Sequence, residues 1–123
     1  MSSIEQCQYD IQRCQILKAE INGIISKLNS AANHTSSLDY EIKNSYQVDG
    51  GNAIITNQTA SLKNDLEDTA NYLKNTILPS IDSSISDANR EIEYLEEEER
   101  KQQEEEERKR QEEERKRQKE EAN

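Results

Sequence analysis

Tryptophan and phenylalanine are absent from this 123-residue chain, proline occurs once, glycine three times, cysteine twice and histidine once. Without large aromatics, and with 31% apolar against 34% charged residues, a conventional globular core is poorly supplied. Positive charge is short as well. Sixteen Lys and Arg stand against 26 Asp and Glu, a net charge of -10, which excludes neutralising a row of nucleic-acid phosphates or adhering to an anionic membrane. No apolar stretch approaches a membrane span. Met1 to Gln8 lacks the basic start and apolar run of a cleavable signal peptide. The expectation is a chain cytoplasmic when synthesised, which leaves the cell, if it does, by a route that reads a folded helix or a tail signal. Two glycosylation sequons, at Asn33 and Asn57, are chance matches in that compartment.

What is present is a pair of apolar stripes. One runs from Ile4 through Cys7, Ile11, Cys14, Leu17, Ile21, Ile24, Leu28, Ala31, Thr35, Leu38 and Ile42 to Tyr46, with Ile25 and Ala32 widening it. The second runs from Ile55 through Thr59, Leu62, Leu66, Ala70, Leu73, Ile77, Ile81, Ile85, Ala88 and Ile92 to Leu95. Spacings of three and four place each stripe on one side of a helix and exclude strand alternation. Arms of about 45 residues would each extend about 65 Å.

Between the arms lies Val48-Asp49-Gly50-Gly51-Asn52, where Gly50 and Gly51 suit a left-handed helix exit and Asn52 an N-cap. The fold predicted is therefore all-α, an antiparallel helical hairpin over residues 1–98. Its first helix spans about 3–47, its turn 48–52 and its second helix about 53–98. Ser2-Ser3-Ile4-Glu5 has the form of a capping box. Residues 29–37, rich in Asn, Ser and Thr, predict a thin or kinked stretch of helix 1. Pro79 predicts a kink in a continuous helix 2, with the stripe passing Ile77, Ile81 and Ile85 in unchanged phase. Residues 99–123 form a charged tail, helical or frayed. Pairs such as Glu96 with Arg100, Glu105 with Lys109 and Glu113 with Arg117 can hold it helical with nothing buried, at about 0.2–0.5 kcal/mol each.

Candidate chemical groups are few. Cys7 and Cys14, two turns apart on one helix, are about 10 Å apart and cannot bond to each other. They read as seam residues, with an intermolecular disulfide in a parallel dimer as the other reading. His34 has no second soft ligand near it in sequence. The glutamate runs lack the loop that calcium ligation needs and the apolar pocket that raises a carboxyl pKa. No catalytic constellation, metal set or cofactor site is expected, and the chain does not read as an enzyme.

What the sequence offers is surface for another helix. Ile16 beside Leu17, Ile24 beside Ile25, Ile54 beside Ile55 and Ile77 beside Leu78 make both stripes too wide for two helices to enclose. The hairpin is expected to complete a four-helix bundle, with itself as a homodimer or with a different helical protein. The expected interface is Ile11, Ile21, Ile25, Leu28 and Ile42 on the first arm with Leu62, Leu66, Leu73, Ile77, Ile81 and Ile85 on the second.

With its turn at Val48-Asp49-Gly50-Gly51 and with Tyr94-Leu95-Glu96-Glu97-Glu98 closing the second stripe, the chain resembles the WXG-type small helical proteins of type VII secretion. It is closer still to the small partners of LXG-domain toxins. It departs from the WXG pattern in having no Trp. The resemblance covers residues 1–98 and implies pairing with a toxin's helical amino-terminal domain or another small hairpin, Tyr94 and Glu98 being read by the export machinery. The plainer reading of Tyr94 is an amphipathic residue ending the seam. A different class of function, a structural coiled coil or spacer, would rest on the charged helix of residues 96–123, about 40 Å long.

Overall fold

Ser3 opens the first helix. Its Oγ accepts the Gln6 N–H at 3.0 Å, and its carbonyl accepts the Cys7 N–H at 3.0 Å, so the cap lies one residue beyond the Ser2 that the capping-box reading uses. The Gln6 side chain donates to Asp10 at 3.1 Å instead of returning to the cap. From there α1 runs Ile4–Ser45.

The computed structural model describes residues 3–45 and 51–122, with the backbone alone at 45 and 51–54. After α1 come α2 (Gly51–Tyr72), a π turn (Leu73–Ile77) and α3 (Leu78–Ala122). Among the described residues there is no strand, and the protein is all-α. Of the expected turn, Asp49 and Gly50 lie outside the described residues, while Gly51 and Asn52 begin α2. The chain divides into two units, one of Gln12–Ser84 and one of Met1–Ile11 with Ile85–Asn123.

Burial along α1 falls on two rows. Ile4, Ile11, Lys18, Ile25, Ala32 and Asp39 form one; Cys7, Cys14, Ile21, Leu28, Thr35 and Ile42 form the other; every other described side chain of the helix is exposed. Each row repeats every seven residues, the pattern of a helix packed along a coiled-coil seam. Residues 29–37 do not break it. The hydroxyls of Thr35, Ser36 and Ser37 donate to the carbonyls of Ala31, Ala32 and Asn33 at 2.9, 3.4 and 3.4 Å, so the groups that compete for the backbone are satisfied within the helix. Ala32 and Thr35 are among the most buried residues of the chain.

The second arm has the same rows, but not in one phase. Up to Ile77 the inward rows are Thr56, Lys63, Ala70 and Ile77 with Thr59, Leu66 and Leu73; from Leu78 onward they are Leu78, Ile85 and Ile92 with Ile81, Ala88 and Leu95, and Glu67, Glu91 and Glu98 are half-buried beside them. The expectation of unchanged phase is therefore corrected, because the rows step forward by one residue between Ile77 and Leu78. The π turn lies at that step, and the Leu78 N–H donates to the Leu73 carbonyl, five residues back. A π turn carries one more residue than the α turn it replaces. It also loosens the backbone where the Pro79 ring would otherwise meet the carbonyl of Asn75.

From Glu99 to Ala122 every side chain of α3 is exposed. Arg100 bridges Glu97 and Glu104, the latter at 2.7 Å, and Lys109 meets Glu105 at 3.7 Å. Local ion pairs of this kind supply in-helix support where no apolar face is buried.

Candidate partner-binding surface

Within the unit Gln12–Ser84 two contacts fix the sense in which the helices pass. Lys18 Nζ meets Asp82 Oδ1 at 2.7 Å, and Thr59 Oγ1 donates to Asp39 Oδ1 at 3.1 Å. The early residue of α1 meets the late residue of the second arm, and the late meets the early, so the two run in opposite directions there. Asp39 is also paired with Lys43 at 3.0 Å. The Lys43 hydrogen bond, aided by Thr59, holds its carboxyl below the usual range against the opposing effect of burial. A small groove of about 200 Å³ opens beside this polar layer, lined by Thr35, Ser36, Asp39, Thr59, Ala60 and Lys63.

That groove identifies the polar flank. Ser36 and Ala60 each follow an inward residue by one position, and they share the groove. Residues that follow the inward rows lie on one flank of a helix, and residues that precede them lie on the other. On the following flank α1 carries Gln15, Asn22, Asn29, Ser36 and Lys43. The preceding flank carries an aliphatic line next to the seam, Leu17, Ile24 and Leu38 on α1 with Ile55 and Leu62 on α2; behind it on α1 stand Arg13, Glu20, Lys27, His34 and Glu41, and on the second arm it continues as Thr69 and Thr76. The five aliphatic side chains are 38–53% exposed, and Ile16, next to Leu17, is 55% exposed. In helices that pass in opposite directions, like flanks meet. Beside the seam, the pair therefore carries this aliphatic line on one edge and the amides and hydroxyls of α1 on the other.

Ten of the eleven residues expected at a partner interface, Ile11, Ile21, Ile25, Leu28, Ile42, Leu66, Leu73, Ile77, Ile81 and Ile85, lie on the inward rows, where the chain's own packing covers them. Ile21 and Ile81 are buried to 7% and 8% exposure. Leu62 alone faces out. The surface left for a partner is the flank beside them, which stripe width signalled in the sequence but which only the direction of the helices assigns to one side.

In the unit of Met1–Ile11 with Ile85–Asn123, Tyr94 and Glu98 line a groove of about 300 Å³ with Ser3, Ile4, Leu95, Glu99 and Gln102. Tyr94 is 58% exposed while Leu95 and Glu98 are half-buried, so the aromatic ring stands beside the inward row. Glu98 Oε1 lies 4.0 Å from Lys101 Nζ. Deeper in the same unit Cys7 is buried at 4% exposure. Burial, and after it the charges of Glu91 and Asp10, push its thiol pKa up and keep it protonated.

Among the described residues no three His, Cys, Asp or Glu side chains gather as a metal site requires, and no helix is long and apolar enough to cross a membrane. No protein-family description, no curated protein and no solved structure matches this chain.

Proposed function

We propose that this chain is a non-enzymatic helical binding protein, an antiparallel hairpin whose exposed apolar edge receives a helical partner to complete a four-helix bundle. The observation that carries this reading is the one-sidedness of the hairpin. Leu17, Ile24, Leu38, Ile55 and Leu62 line one exposed edge beside the seam, whereas α1 lines the opposite edge beside the seam with Gln15, Asn22, Asn29, Ser36 and Lys43. Exposed apolar surface of that continuity marks an interaction site. The partner class is that of the small type VII secretion proteins: the helical amino-terminal domain of an LXG-type toxin, or another small hairpin. Tyr94 and Glu98, one turn apart on α3 and lining one groove, form the element read for export. No cofactor, metal or nucleic acid enters this account.

The test is a partner pull-down run beside an assay of the culture supernatant. Tyr94→Ala with Glu98→Ala is expected to block secretion and to leave partner capture nearly intact, because the ring stands outside the seam. Leu17→Lys with Leu62→Lys is expected to abolish capture. Unchanged export in the first variant removes Tyr94 and Glu98 from the account, and loss of both binding and export would make them structural.

One observation favours a second reading, a spacer. The helix continues through Glu99–Ala122 with every side chain exposed, as a free-standing charged helix requires. Deleting residues 99–123 separates the two readings, since it leaves partner capture unchanged in the first and removes the working part in the second.

A further inference from the structure

We propose that the π turn Leu73–Ile77 is a register step, a place where the second arm carries one surplus residue that its seam requires, and that Pro79 pins the step in position. Three observations meet there. The inward rows of the second arm change phase by one residue between Ile77 and Leu78, whereas those of α1 keep a single phase from Ile4 to Ile42. A helix whose rows slip by one residue against a partner in constant phase must absorb that residue or rotate its apolar face out of the seam. The backbone absorbs it at the same place, with the Leu78 N–H bound to the carbonyl five residues back.

Proline then fixes the location. A π turn moves along a helix by exchanging one hydrogen bond for its neighbour, which needs an N–H at each position. Pro79 has none, so the turn cannot pass it toward the C-terminus. The proline alone does not account for the turn, because a proline in a helix of constant phase bends the axis and leaves the burial rows aligned. Here the rows are offset on the two sides. Ile77 and Leu78 are both half-buried, as expected where one row ends and the other begins.

The surplus residue can be removed from the exposed part of the turn, and Asn75 is the natural choice. Deleting Asn75 together with Pro79→Ala leaves an uninterrupted α-helix with both halves of the seam in one phase. Its melting temperature is expected to match or exceed that of Pro79→Ala alone. A control that deletes Asp87, exposed and near the start of α3, in the same Pro79→Ala background shifts the rows beyond it off the seam and is expected to melt far lower. Equal losses from the two deletions would overturn the proposal.

Pro79→Ala alone supplies the second measurement, by NMR hydrogen exchange on the full chain. The offset is expected to survive, with Ile81 and Leu73 amides both protected and the weak point spread along neighbouring turns instead of held at Leu78. If the variant becomes a regular α-helix and Ile81 loses protection, proline causes the turn and the register account fails.

Discussion

At the scale of single residues, the small size of the interior makes each inward side chain count. Ile21→Ala, at a site 7% exposed, is expected to cost about 2–4 kcal/mol by lost transfer energy and an unfilled cavity, measured by urea denaturation. Glu104→Lys, on the exposed part of α3, is expected to leave the same transition in place. Cysteine chemistry follows burial. Cys14 is expected to be alkylated by iodoacetamide well before Cys7, which is shielded and whose thiol is held protonated by its surroundings; equal labelling rates in the native protein would contradict the burial pattern. Asp39 gives an acid limb. Its carboxyl is lower in the folded chain than when unfolded, so its contribution is complete above the ordinary carboxylate range and lost as pH falls through the folded value. Asp39→Asn should flatten that part of the stability-against-pH curve. The sequence carried Cys7, Ile11, Cys14, Ile21, Leu28, Ile42, Leu66, Leu73, Ile81 and Ile85 as inward through their spacing, but its stripes also ran through Leu17, Ile24, Ala31, Leu38, Ile55 and Leu62, which lie one position off the inward rows and are exposed. It did not carry Lys18, Lys63, Glu67, Glu91 or Glu98 as half-buried, because a hydropathy stripe discards charged residues whose stems line the seam, nor Asp39, whose carboxylate accepts from Thr59 and pairs with Lys43.

At the scale of elements, α1 contains one uncapped weakness. Gly23 lies in mid-helix with open space where a β-carbon would stand, so Gly23→Ala is expected to stabilise the chain by about 0.5–1 kcal/mol in a thermal or chemical melt. The charged end of α3 depends on ion pairs between exposed groups, which salt screens. Molar salt is therefore expected to lower the helical signal of an isolated 96–123 peptide while leaving the unfolding midpoint of the 12–84 seam nearly unchanged. Helix positions were legible because a three-four repeat has one physical interpretation. The π turn was not, because an apolar pair such as Ile77-Leu78 reads equally as a wide stripe or as a change of phase. Only burial on both sides of it decides. The same holds for residues 29–37, whose low propensity was visible but whose hydroxyls turned out to bond back to their own helix.

At the scale of the whole molecule, the polar and apolar edges govern association. Helical proteins that leave aliphatic surface exposed gain stability from whatever covers it, by mass action. A partner that binds the Leu17–Leu62 edge is expected to raise the melting temperature in proportion to the logarithm of its concentration, and Gln15→Lys on the opposite edge should leave that increase intact. A melt insensitive to every helical partner tested, from a chain that sediments as a monomer at all concentrations, would contradict the binding role. How wide the stripes are was plain in the sequence. Which side they widen toward was not, because the answer depends on the opposed direction of the helices that Lys18–Asp82 and Asp39–Thr59 establish.

The outward tyrosines bear on how folding of this protein is to be observed at all. Tyr9, Tyr40, Tyr72 and Tyr94 are 54–71% exposed, and the chain holds no tryptophan or phenylalanine. Near-ultraviolet circular dichroism reports aromatic rings held in an asymmetric setting, and its loss beside retained helix is a usual sign of a molten state. Here each of these four rings is more than half exposed, and the inward rows of the helices are filled mostly by aliphatic groups. A nearly flat near-ultraviolet spectrum is thus expected of the fully packed protein, and methyl resonances, not aromatic dichroism, are the optic through which its tertiary order becomes visible.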